Sequence, residues 1–230
     1  MKTIGLIGGM GWESSAEYYR LINKQMRERL GALHSAKILM YSVNHQEINE
    51  LESRDRWPEL LEMMIESSRK LEKGGADFIL ICCNLMHKIA DQLQNAIHIP
   101  LIHIVDATSE EINAAGLTTV GLLGARAVME GAFFKNKLEA AGLNVLTPDE
   151  GTKEFINDVV FNELAFGKII EESKGRTLNI IKTLKENGAQ GVILACTELP
   201  MLVMQEDSIL PLFDTLMLHV KKAVSFALED

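Results

Sequence analysis

Gly75-Ala-Asp-Phe-Ile-Leu-Ile-Cys-Cys83-Asn84 returns, little changed, as Gly188-Ala-Gln-Gly-Val-Ile-Leu-Ala-Cys196-Thr197. Each stretch is a turn glycine, a continuous apolar run, and a cysteine followed by a polar residue. Gly75 and Gly188 stand 113 positions apart (188 − 75), as do Cys83 and Cys196 (196 − 83). Gly5-Leu-Ile-Gly-Gly9 resembles Gly121-Leu-Leu-Gly-Ala125 at 116 (121 − 5), and Pro100-Leu-Ile102 resembles Pro211-Leu-Phe213 at 111 (211 − 100). The chain therefore reads as two similar halves. Unbroken apolar runs are what central strands need when both faces of a parallel sheet are covered. Each half sets one thiol just past such a strand, where open parallel sheets hold their ligands.

Working outward, further short apolar runs bounded by turn residues predict the other strands. They fall at Ile4–Ile7, Lys37–Val43, Phe78–Cys82 and Leu101–Val105, then at Thr119–Leu123, Asn144–Thr147, Gly191–Ala195 and Leu212–Phe213. Helical patterns lie between them, at Ser14–Leu30, Trp57–Lys73, Met86–Ala96, Ser109–Ala115, Ala127–Ala141, Lys153–Phe166, Lys174–Asn187 and Thr215–Leu228. This alternation predicts the α/β class: two pseudo-symmetric, Rossmann-like halves, each a mostly parallel sheet flanked by helices. The first half is expected over residues 1–105, joined by 214–230, and the second over 106–213.

Composition narrows the function. The 230 residues are 47% hydrophobic and carry a net charge of −9, which argues against nucleic acid as a partner. No run approaches the roughly 20 apolar residues of a membrane span, and the amino terminus reads as a first strand rather than a leader. Three cysteines in a chain of this length do not form a disulfide framework, and paired CxxC knuckles for zinc are missing. A reducing cytoplasm is the expected location.

Cys83 and Cys196 are the candidate catalytic residues. Two thiols from two halves suit inversion at an acidified carbon, with one thiolate taking a proton and one thiol returning it to the opposite face. A thiol pKa of about 8.5 falls near a helix amino terminus, and the helix expected after Cys83 would supply that dipole. Asn84 and Thr197 place hydrogen-bonding groups beside the two thiols, able to bind a carboxylate or to cap a helix. Gly8-Gly9-Met10-Gly11 lacks the nucleotide-binding spacings, but its amides suit a small carboxylate. His87, four residues after Cys83, is placed to steer that thiol, and Glu198 to orient a neighbour or act on the second thiol. Cys82 points the other way along the strand and is assigned to the core.

At these residues the chain resembles the aspartate/glutamate racemase family, in its branch of cofactor-independent amino-acid racemases. The resemblance covers nearly the whole length. It runs through Lys2-Thr-Ile-Gly-Leu-Ile-Gly-Gly-Met10, Trp12-Glu-Ser-Ser15, Tyr18-Tyr19, Leu33-His34-Ser35, Cys83-Asn-Leu-Met-His-Lys88 and Cys196-Thr-Glu-Leu199. It implies an active site between two pseudo-symmetric halves, catalysis by Cys83 and Cys196, and substrate contacts from Met10, Asn84 and Thr197; Leu85, next to Asn84, is taken as a further substrate-binding candidate. It also implies no metal, no pyridoxal phosphate, a small amino-acid or dicarboxylate substrate, and a homodimer. Racemisation of aspartate or glutamate is the implied activity. Maleate isomerisation, arylmalonate-type decarboxylation and silent carboxylate binding are the alternatives within the fold. The sequence departs from the family at Leu85, Ala125 and Val128, each of which replaces a threonine hydroxyl used near the substrate carboxylate. Ile48 stands where aspartate-specialised members carry a basic residue, and Ala165, with Lys168 nearby, where they carry a lysine.

Overall fold

The repeated phrase enters both halves of the computed structural model as the same helix exit. Residues 1–229 are described. Gly75 and Gly188 take φ of +93° and +102°, a region open to glycine and costly for other residues. Their N–H groups donate to Glu72 and Lys185, and the next N–H groups, of Ala76 and Ala189, reach back to Leu71 and Leu184. That paired arrangement satisfies the last carbonyls of a helix and turns the chain into a strand. Asp77 then bonds Thr3 and Gln190 bonds Thr119, so the same turn starts the same sheet pairing twice.

The first half comprises residues 1–104 and the chain from His219 onward. Its strands β1 (Ile4–Gly8), β2 (Ile38–Ser42) and β3 (Phe78–Ile81) form a parallel sheet in the order β2-β1-β3. Around it lie α1 (Trp12–Leu30), α2 (His45–Ser53), α3 (Trp57–Lys73) and α4 (Ala90–Gln94), and α5 (Ile104–Ala114) begins at its edge. Leu60, Met64 and Leu71 on one face of α3 are buried with Ile7, Ile79 and Ile81 of the sheet. Each such side chain contributes about 1.5–3 kcal/mol by leaving water. Ser67 and Ser68 share that face because their hydroxyls donate to the Met63 and Met64 carbonyls.

The second half comprises residues 105–218. Strands β4 (Thr119–Gly124), β5 (Asn144–Leu146), β6 (Gly191–Ala195) and β7 (Leu212–Asp214) pair in parallel in the order β5-β4-β6-β7. Its helices are α6 (Arg126–Glu130), α7 (Ala132–Ala140), α8 (Glu150–Asp158), α9 (Glu171–Glu186), α10 (Leu199–Leu202) and the start of α11 (Thr215–Leu228). Leu122, Phe134, Leu138, Ile181 and Ile193 are fully buried in it. The repeat extends to register. Gly5 pairs with Ile79 and Ile79 with Leu101, as Gly121 pairs with Val192 and Val192 with Leu212.

Several expectations change. Leu101–Val105 is not a strand. Leu101 makes a single bridge beside Ile79, and α5 starts at Ile104. Pro100 has no N–H to extend the ladder, and the Leu101 N–H is taken by the Gln94 side chain at 2.6 Å. The helix expected at Met86–Ala96 is a 3₁₀ turn, Leu85–Ile89, followed by the five-residue α4. Two short, differently wound pieces align fewer peptide dipoles than the single helix expected there. Ala127–Ala141 breaks at Gly131, and Lys153–Phe166 ends in a π-helical turn at Val159–Glu163 and a 3₁₀ turn at Leu164–Phe166.

Candidate active site

Cys83 leaves β3 two residues beyond Ile81, and Cys196 directly follows β6; each is half-buried. Around Cys83 the main chain is pinned from several sides. Cys82 N–H donates to the Ile7 carbonyl at 2.9 Å, and the Ser14 hydroxyl donates to the Cys82 carbonyl at 3.1 Å. His87 is buried, and its Nδ1 lies 2.8 Å from the Cys83 carbonyl oxygen. A carbonyl only accepts, so that nitrogen carries the proton. Burial, then the neighbouring His103 and His219, hold His87 well below the usual imidazole range. Burial also pushes the Cys82 thiol up, consistent with an inert core sulfur.

The glycine loop after β1 is tied to the same strand end. Gly9 has φ +95°, and a Cβ there would stand 2.2 Å from the Val43 carbonyl oxygen, so no side chain fits. Its N–H donates to Ser15 Oγ at 2.8 Å, and the Ser15 hydroxyl donates to the Gly11 carbonyl at 3.2 Å. The Gly9 amide is therefore engaged within the loop rather than offered to a carboxylate. Met10 is 7% exposed and belongs to the same apolar cluster as Met86, against which Cys83 and Leu85 pack. Asn84 is buried and begins the 3₁₀ turn without capping it.

In the second half three consecutive predicted residues converge. The Cys196 thiol donates to Glu198 Oε2 at 2.8 Å, and the Thr197 hydroxyl donates to the same oxygen at 2.9 Å. Glu198 occupies the N-cap position of α10 yet makes no capping bond, so its carboxylate serves the thiol and the hydroxyl. Ala125 precedes α6 without a side-chain cap, and Val128 is 1% exposed in the core. Ile48 lies buried on α2 rather than in a loop. Ala165 is exposed, and the Lys168 ammonium sits 5.8 Å from the Phe166 ring.

Leu33-His34-Ser35 follows the far end of α1, roughly 27 Å along the helix from the glycine loop at 1.5 Å per residue. It lines a cavity of about 550 Å³ with Arg20, Lys24 and Arg27. Sequence reasoning missed Ser14, Ser15, His103 and His219. The first two were visible as polar residues in the opening turn of a helix, where side chains bond nearby backbone.

The sequence matches the family described as Asp/Glu/Hydantoin racemase over residues 7–223. The chain belongs to that family. A relative, the broad specificity amino-acid racemase RacX of Bacillus subtilis (strain 168), is 25% identical over 96% of each chain. Among solved structures, a Yersinia pestis protein classed with Asp/Glu racemases is 42% identical, with a TM-score of 0.96 over the whole of both chains. An aspartate racemase homologue from Pyrococcus horikoshii OT3 is 33% identical, with a TM-score of 0.91 and the same complete coverage. The family's two-sheet fold is thus present at full length.

Proposed function

We propose that the chain is an amino-acid racemase, acting on aspartate or glutamate without a cofactor, in which Cys83 and Cys196 exchange a proton at the α-carbon. The observation that carries this reading is the Cys196–Glu198 bond of 2.8 Å, at a strand end whose counterpart in the other half bears Cys83. A carboxylate accepting the S–H favours the protonated thiol, because a thiolate beside it would add like charge. Cys196 is then the resting acid. Cys83 has to be the thiolate that removes the α-proton from one enantiomer, and the two exchange duties for the other. Proton transfer between groups fixed on the substrate's two faces gains from orientation as well as from acid–base catalysis.

Asn84 and Thr197 would orient the substrate's polar groups. Met10, whose side chain is buried, would contribute through its backbone. Leu85 and Ala125, both partly buried, carry no hydroxyl, which supports a more apolar pocket than threonine-bearing relatives have, whereas Val128 is packed in the core. The reading also includes a homodimer in the cytoplasm, and analytical ultracentrifugation tests the dimer.

A screen of the common amino acids in deuterated water tests the chemistry. Aspartate or glutamate should gain deuterium at Cα while losing optical purity. Cys83→Ala and Cys196→Ala should each slow racemisation by at least about 10³-fold. Each variant should retain slow exchange on only one enantiomer, a different one in each case. Undiminished racemisation by both variants would sink the two-thiol mechanism, and binding without exchange would favour a silent carboxylate-binding protein.

A further inference from the structure

We propose that His87 is a positioning residue that clamps the turn carrying Cys83 and Asn84, and that a buried stack of histidines holds it in place. This rests on the reading of Cys83 as a reacting thiol. The residue before Cys83 is fixed to the sheet by the Cys82–Ile7 bond and to α1 by Ser14. Beyond it the chain leaves the sheet. One anchor there is the His87 Nδ1–H bond to the Cys83 carbonyl, reinforced by the His87 N–H donating to the Asn84 carbonyl at 3.2 Å. That imidazole therefore holds the peptide following the Cys83 α-carbon, and through it contributes to the direction of the thiol.

The imidazole is itself held by rings. His103 lies 4.7 Å away, centroid to centroid, and His219 lies 5.6 Å away in an edge-on arrangement. His219 cannot rotate freely, because Nε2–H donates to the Ile102 carbonyl at 2.8 Å and Nδ1 accepts from the Tyr18 hydroxyl at 2.8 Å. Both nitrogens of His219 are engaged in this way, so the three rings do not form a metal-ligand set. His87 Nε2, in contrast, is buried without a hydrogen-bond partner. A leucine would fill the space without burying an orphaned acceptor. What leucine lacks is the donor for the Cys83 carbonyl.

Hydrogen exchange and cysteine alkylation test the clamp independently of any substrate. His87→Ala should raise exchange across residues 83–89, and the rate at which iodoacetamide modifies Cys83, by about fivefold or more, leaving Cys196 unchanged. His87→Asn, whose side-chain amide can donate from nearly the same place, should keep both within about twofold of the parent. With L-aspartate or L-glutamate as substrate, kcat should fall about 10- to 100-fold for the alanine variant and recover in the asparagine variant. Parent-like exchange and alkylation in His87→Ala would overturn the proposal. If the parent shows these local effects on mutation but racemises nothing, the functional reading fails and the clamp stands. Should His87→Ala not fold, Tyr18→Phe replaces it: a smaller increase at Cys83 alone supports the clamp, and no change overturns it.

Discussion

Glu198 accepts hydrogen bonds from a thiol and a hydroxyl through one oxygen, an arrangement that only a carboxylate supplies unambiguously. A glutamine there must present its carbonyl oxygen to both donors, and it carries no charge to hold the Cys196 thiol protonated. We expect Glu198→Gln to lower kcat by about 10- to 100-fold, in the range of a positioned acid–base partner. The melting temperature should move little, because the group is only partly buried. Steady-state racemisation alongside thermal unfolding checks this, and an active Glu198→Gln protein would remove the residue from the mechanism. The two cysteines and their polar neighbours were legible in the sequence because the repeat marks them twice. The His87–His103–His219 stack was not, since residues 87, 103 and 219 come together only through tertiary packing. Ser15 was legible in principle, yet its bond to Gly9 N–H depends on a loop conformation that periodicity does not encode.

Helix exits explain why most elements could be read and some could not. Gly75 and Gly188 are diagnostic because the turn requires positive φ. A Cβ at either position would meet nothing within 4 Å, so alanine there costs conformational energy alone. Gly75→Ala and Gly188→Ala should each destabilise their half by about 1–2 kcal/mol, with closely matched values. Urea unfolding of the two variants measures it; a loss in one and none in the other would break the equivalence of the turns. The Leu101–Val105 run misled because a single bridge followed by a helix start has the same apolar composition as a short strand. The missed α2 contains only two aliphatic residues, Ile48 and Leu51, and so lacks a strong apolar stripe. Its start was nonetheless signalled. Asn44 accepts from Gln46 N–H, and its amide donates to Glu47, three residues on, as helix-capping pairs do.

Taken over the whole molecule, the halves repeat one another in sheet order and register but not in titratable chemistry. All six histidines fall in residues 1–104 or at His219, so the half comprising 105–218 has none. Burial holds His219 down to about 4 from an ordinary 6.5. His87 is displaced in the same direction. A histidine that resists protonation when folded accepts it when unfolded, so its contribution to stability is complete above pH 6.5 and is lost on acidification. For His219 the loss grows by about 1.4 kcal/mol per pH unit below 6.5 and levels off near 4, reaching about 3 kcal/mol. His87 adds to it. The first half should therefore loosen before the second as pH falls from 6.5 toward 4, with exchange rising first in the peptides around residues 83–104 and 219. Hydrogen exchange across that range, corrected for intrinsic rates, checks the order. Tyr18→Phe leaves the His219 ring in place but removes the hydroxyl that donates to Nδ1, which frees that nitrogen to take a proton. It should shrink the acid-dependent loss in the first half, because a folded His219 that protonates more readily differs less from the unfolded ring, whereas an onset shared equally by both halves would mean that groups other than the buried histidines set the acid limit.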